Sequence, residues 1–230
     1  MKQKRIEVGR VLAFTCMAGL TFAGALLTGS ASLVVALAQA QTRAARNTGA
    51  KLDIAEGTKA SYRVTERLAG INFPDDAIGT TESVTGSLVL APDGSINSAQ
   101  SKLTVDLRTL KSGQDIRDVY VKTRTLETDK FPFAEFVPRS VQGLPSPLPN
   151  PERATAQSGF QLLGDLTIHG VTKEVVFTGY ATFSRDLVAG RVVTPFTFST
   201  FGLSKPQLAR VVSVDDKITL EIEFRMRRSS

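Results

Sequence analysis

Leu166-Thr-Ile-His-Gly-Val-Thr-Lys-Glu-Val-Val-Phe-Thr-Gly-Tyr-Ala-Thr-Phe183 decides how the chain folds. It reads as two alternating strands joined by a tight turn at His169-Gly170. Val175, Phe177, Ala181 and Phe183 share one face, and Glu174, Thr178 and Thr182 share the other. The same alternation recurs from Ser87 to the C-terminus, with no helix long enough to cross between parallel strands. The class is therefore all-β and antiparallel. Such a sheet must hide its edges, and closing into a barrel does so while leaving room for an apolar interior.

Working outward, Lys59 to Leu68 reads as a first strand, with Tyr62 and Val64 on one side and Arg63 and Thr65 on the other. Val84 to Leu90 and Ile96 to Leu107 form a hairpin around Pro92-Asp-Gly94. Phe133 to Val141, Phe160 to Ile168, Lys173 to Phe183 and Arg191 to Phe201 follow. Lys217 to Met226 closes the set, alternating Ile218, Leu220, Ile222, Phe224 and Met226 with Thr219, Glu221, Glu223 and Arg225. That makes about eight strands, the number at which a barrel interior holds one small ligand. A short helix is expected near 113–122, over Ile116, Val119 and Tyr120. Residues 143–151 carry four prolines and read as an exposed loop.

The first forty residues have another character. Lys2, Lys4, Arg5 and Arg10 precede an uncharged run over 11–38, and Ala38-Gln-Ala40 offers a small-residue cleavage site. Residues 1–40 thus read as a secretory signal, with an uncleaved anchor as the alternative because the run is long enough to span a bilayer. Residues 41–57 are polar and without period, as in a flexible linker, and the barrel domain is expected over 58–228. The only cysteine is Cys16, so the domain does not depend on disulfides.

The formal charge of +6 comes from the expected signal segment and linker together. Residues 1–51 hold seven of the 28 basic residues and one of the 22 acids, which leaves 21 of each in the remainder. A neutral domain has no electrostatic footprint for a nucleic acid. No nucleophile elbow, phosphate loop, dinucleotide fingerprint or zinc motif occurs, and the sole histidine, His169, sits in a turn. Asp75-Asp76 and Asp215-Asp216 read as solvated turn carboxylates rather than a metal or catalytic pair. The sequence argues for neither an enzyme, a metal site nor a cofactor.

Three segments carry a family resemblance: Val105-Asp-Leu-Arg-Thr-Leu-Lys-Ser-Gly113 leading into Ile116-Arg-Asp118, Leu126-Glu-Thr-Asp-Lys-Phe-Pro-Phe-Ala-Glu-Phe136, and Gly164-Asp-Leu-Thr-Ile-His-Gly-Val-Thr-Lys173. With Val214-Asp-Asp-Lys-Ile-Thr-Leu-Glu-Ile-Glu-Phe224 they resemble, in order and spacing, the YceI-like family of secreted, lipocalin-like polyisoprenoid-binding proteins. The chain departs from that pattern in its first strand. Tyr62-Arg-Val-Thr-Glu66 and Leu68-Ala-Gly-Ile-Asn-Phe73 stand where the family often has a His-Ser pair and a further His. The Pro-rich loop looks like an insertion.

The resemblance implies an extended, lipocalin-like antiparallel barrel that encloses an isoprenoid chain, polyprenyl or quinone-like, in the periplasm or outside the cell. Leu103, Val105, Phe136, Leu166, Ile168, Phe177, Phe196, Phe198, Leu220 and Ile222 are the candidate wall residues. Thirteen Phe and no Trp supply apolar area without a polar atom that needs a partner. Arg117 is a candidate for the lipid headgroup, although Arg117 and Asp118 also read as a structural pair. Two alternatives stay open: an interior packed solid, as in an extracellular interaction or envelope-stress module, and a homodimer. Membrane contact is expected only through an uncleaved N-terminal segment.

Overall fold

The computed structural model describes residues 49–70, 73–207 and 211–229, so the expected signal segment and the start of the expected linker lie outside the described residues. Ten strands follow in chain order. They are β1 (Ala50–Ile54), β2 (Lys59–Leu68), β3 (Asp75–Thr81), β4 (Val84–Leu90), β5 (Lys102–Asp106), β6 (Phe133–Gln142), β7 (Ser158–Ile168), β8 (Val171–Phe183), β9 (Leu187–Thr197) and β10 (Val211–Ser229). All belong to one antiparallel sheet.

These ten segments make eight staves. β10 is long enough for β1 and β2 to lie end to end along one of its sides, opposite Met226–Ser229 and Val211–Glu223 respectively. β4 then pairs with β1 and β3 with β2, so β1–β2 and β3–β4 are two bent strands. At the first bend the buried Thr58 replaces the interrupted ladder. Its hydroxyl donates to the Ala55 carbonyl at 2.9 Å, and the Arg225 amide donates to it at 3.0 Å. β1 lies between β4 and β10, and that closes the barrel.

The expected linker over 41–57 needs correction here. Residues 50–54 are a stave, with Leu52 2% exposed, because the barrel cannot close without a strand between β4 and β10. β5 is also shorter than expected. Residues 97–100 form a turn, and Ile96 makes a single bridge to Leu90.

Alternation sorts the side chains as expected. Ile218, Leu220, Ile222, Phe224 and Met226 point inward from β10, and a one-residue slip would bury Glu221 and Glu223 instead. The β7–β8 turn is built by His169 (φ 53°) and Gly170 (φ 75°), the successive positive φ values of a two-residue hairpin. Gly170 is required on a second ground, since a Cβ there would meet the Phe131 ring at 2.9 Å. Edge-to-face ring pairs Phe136–Phe177, at 5.1 Å, and Phe160–Phe224, at 6.2 Å, tie together staves that are not hydrogen-bonded neighbours, β6 to β8 and β7 to β10.

The outer edge of β3 has one pairing among the described residues, the bridge Thr80–Lys111. The segment 107–131 covers the gap and sends Leu107, Leu110, Val121 and Leu126 into the core. It contains α1 (Asp115–Tyr120), which widens into a π turn over Val121–Thr125. The helix stands where expected but is turned over. Ile116 is 79% exposed and Val119 60%, while Arg117, Val121 and Thr125, one turn apart, face the interior. The Pro-rich loop is also less exposed than expected, because Leu144 and Leu148 pack against the core.

Candidate functional site

The barrel is hollow. Its interior holds a cavity of about 190 Å³, more than tenfold the space that one water molecule needs. Leu103, Val105, Phe196, Leu220 and Ile222 point inward yet are only half-buried, because part of their surface faces this cavity. A solid-cored domain would have buried them fully. The wall is almost entirely carbon.

All ten residues that the sequence nominated stand on this wall: Leu103 and Val105 on β5, Phe136 on β6, Leu166 and Ile168 on β7, Phe177 on β8, Phe196 on β9, Leu220 and Ile222 on β10, and Phe198. Phe198 gets there differently from the expectation. β9 ends at Thr197, and Phe198 opens a 3-10 turn that folds it, with Phe201, into the core.

Four polar side chains reach the cavity from inward positions: Tyr62 and Glu66 on β2, and Arg117 and Thr125 on the covering segment. Ser61 and Glu135 border it from outward positions, where their side chains meet Thr80 and Lys102. Arg117 Nη1 donates to Glu66 Oε1 at 2.9 Å, and the two side chains are 18% and 8% exposed. Arg117 Nε donates to Ser112 Oγ at 2.9 Å, and Ser112 Oγ donates to Asp118 Oδ1 at 2.5 Å. The ion-pair partner of Arg117 is therefore Glu66, and Asp118 is reached only through Ser112. The pair joins the covering segment to β2, and removing one partner of such a buried pair costs about 3–5 kcal/mol because the other charge is left uncompensated.

The Tyr62 hydroxyl titrates at about 12, pushed up from 10.0 chiefly by burial and, less, by the carboxylates of Asp118 and Glu66, while Arg117 opposes the shift. It stays a hydrogen-bond donor at any ordinary pH. The Thr125 hydroxyl is buried and has no hydrogen-bond partner among the described residues. A second clasp lies at the other end of the covering segment, where His169 Nε2 and Glu127 Oε2 are 2.8 Å apart and Phe131 meets the imidazole edge-on at 4.6 Å.

Tyr62, Glu66 and Thr125 were not nominated from sequence. A signal existed for the first two, since Ala60, Tyr62, Val64 and Glu66 are in phase on β2. For Thr125 there was none, because its inward aim depends on the orientation of α1.

Residues 55–226 match the YceI-like domain. The chain belongs to the YceI-like family. Among curated proteins it is 33% identical over 117 residues to the UPF0312 protein of Pseudomonas putida strain F1, and 32% to that of strain W619. The alignment covers 46% of this chain and 54% of the relative, so the chain spans about half the length of the curated relatives it matches.

Among solved structures, a polyisoprenoid-binding domain from Saccharophagus degradans, implicated in plant cell wall breakdown, superposes with a TM-score of 0.58 at 11% identity. That match covers 78% of this chain and 98% of the domain. Burkholderia cenocepacia BcnA gives 0.53 at 17% identity, over 75% of this chain and 96% of that one. Campylobacter jejuni YCEI protein gives 0.53 at 13%, over 71% and 91%. At these identities the likeness establishes the closed eight-stranded barrel as a shared fold.

Proposed function

We propose that this YceI-like protein is an exported carrier that sequesters an isoprenoid amphiphile, polyprenyl or quinone-like, inside its barrel. The observation that carries the reading is the hollow carbon-walled interior, in which Leu220, Ile222 and their neighbours keep surface uncovered. Each CH₂ buried there is worth about 0.8 kcal/mol, so a tail can be held without any charged contact. The polyisoprenoid-binding character of the Saccharophagus degradans domain supports the choice of lipid class. The basic start, apolar run and Ala38-Gln-Ala40 support export to the periplasm or beyond, with an anchored form as the variant of the same reading.

The test is native mass spectrometry of the protein purified from its own host, alongside Ile222→Phe. The extra ring of that variant enters open space rather than a packed core, so stability changes by about 1 kcal/mol or less. The wild type is expected to carry an apolar ligand in the isoprenoid mass range and the variant to carry less. A wild type that stays empty in the presence of its own membranes would refute the carrier reading.

A further inference from the structure

Resting on the carrier reading, we propose that the end of the barrel bearing α1 docks on a zwitterionic phospholipid bilayer. Its anchors are Phe73, Ile116, Val119 and Val212, which makes a membrane contact separate from the N-terminal segment.

Strand pairing puts these anchors at one end of the molecule. Leu68 ends β2 opposite Val211, the first residue of β10, so Val212 and Phe73 in the β2–β3 turn share that end. α1 is tied there twice, by Arg117 to Glu66 and by the Tyr120 hydroxyl, which accepts from the Gln207 amide at 3.2 Å. Phe73 is 77% exposed, Ile116 79%, Val119 60% and Val212 70%. Val212 is also the extra residue of a bulge, since Val211 and Ser213 pair with the consecutive Leu68 and Arg67.

Six large apolar side chains are exposed among the described residues, and Phe133, beside the β7–β8 turn, is a fifth at this end. Only Val176, midway along β8, lies elsewhere. The opposite end, where Leu144 and Leu148 pack the Pro-rich loop against the core, shows none. An isolated exposed apolar residue is ordinary, but such a concentration marks an interaction surface.

The surroundings of the anchors say what covers them. The apolar cavity wall runs out to this end through Leu203, Pro206 and Val214, of which the last two are partly exposed. A bilayer against this rim lets a lipid tail pass between two apolar media without crossing water. The anchors stand on three separate segments rather than in a groove, so each can enter the interfacial region singly. Exposed charges of both signs accompany them, Arg67 and Arg124 with Asp75 and Asp115. That mixture complements the phosphate and ammonium of a zwitterionic headgroup.

The experiment uses the full chain with Cys16→Ser and protein-free vesicles of phosphatidylcholine and phosphatidylethanolamine. The uncharged run over 11–38 can hold such a chain on lipid by itself, so the readout is local. An environment-sensitive fluorophore is placed at Gln114→Cys, beside the anchors, or at Asn150→Cys in the Pro-rich loop. The label at 114 is expected to shift to the blue and to be quenched by spin-labelled acyl chains, and the label at 150 to stay in water. Phe73→Ser with Val212→Ser should lower the inserted-to-free ratio at 114 about tenfold. Raising the salt should change that ratio by less than about twofold, because insertion is apolar.

A label at 114 that stays in water, or one matched by the label at 150, overturns the proposal and gives the patch to a protein partner. A ratio that collapses with salt, or that ignores the double serine variant, overturns it as well. Ile222→Phe, which fills the cavity, should dock as the wild type does. Loss of the signal in that variant would mean that the label reads lipid capture instead of docking. Native mass spectrometry keeps the two readings apart: a docked chain without lipid refutes the carrier alone, and a lipid-loaded chain that does not dock refutes the docking alone.

Discussion

The ring of Tyr62 fills the space that a side chain at position 79 would need. The two residues face each other across β2 and β3, and a Cβ built on Gly79 would stand 2.2 Å from Tyr62 Cε1. Gly79 is thus a matter of room, as the seat on which a cavity-lining aromatic rests. Gly79→Ala is expected to push the ring into the cavity and cost about 1–3 kcal/mol. For a domain of this size that lowers the melting temperature by roughly 2–12 °C in thermal denaturation. Adding Tyr62→Ala to Gly79→Ala should recover part of the strain but not the packing. A Gly79→Ala protein as stable as the wild type would show that the ring has another place to go.

Glu66 and Arg117 join β2 to α1 as a buried ion pair. Glu66→Ala leaves the guanidinium buried beside Ser112 and Asp118 without its main partner. It is expected to cost about 3–5 kcal/mol in denaturant unfolding. The double variant Glu66→Leu with Arg117→Met should lie closer to wild type than either single change, because no lone charge remains. Losses that simply add would mean that the two groups do not act as a pair.

The protein has three tyrosines and no tryptophan, so phenolate absorbance reports the tyrosines cleanly. Burial raises the Tyr62 hydroxyl from 10.0 to about 12 in the fold. The stabilisation linked to it is whole below pH 10 and is lost as pH rises from there through about 12. A late absorbance step near pH 12 is expected, and Tyr62→Phe should remove it. If the variant keeps that step, the buried phenol is not its source.

The acid limb runs the other way. Lys130 first, then His169, holds the Glu127 carboxyl below its ordinary value of 4.5. Its contribution to stability is complete above that value and drains as pH falls through the lower folded one. Glu127→Gln should therefore flatten the melting temperature against pH below about pH 5. It should also loosen the contact of Phe131 with His169, visible as a shifted imidazole resonance. A parallel downward offset, with the slope unchanged, would show that the carboxyl is not linked to folding.

Much of this molecule could be read from local pattern. The inward set of β10, the turn at His169-Gly170 and nine of the ten wall residues follow from local pattern, because the side chains of a strand choose between only two faces, while Phe198 reaches the wall from a 3-10 turn. β1 escaped because it is five residues long with one fully buried side chain, Leu52. Its pairing with β4 and β10 is what makes it a strand. The covering helix was located in sequence but taken with the wrong face inward, since Ile116 and Val119 looked apolar enough to bury. What turns it is Arg117 reaching Glu66, a partner 51 residues away.

Order along the chain thus dictates which residues share a face, because that periodicity is a property of the backbone alone. Whether the shared face is packed solid or left open is a property of the closed sheet. Strand number and stagger set the radius of a barrel, and the radius decides whether opposite side chains meet. Ile222 would read the same in a filled core. Only the curvature that brings β1 beside β10 leaves it facing empty space.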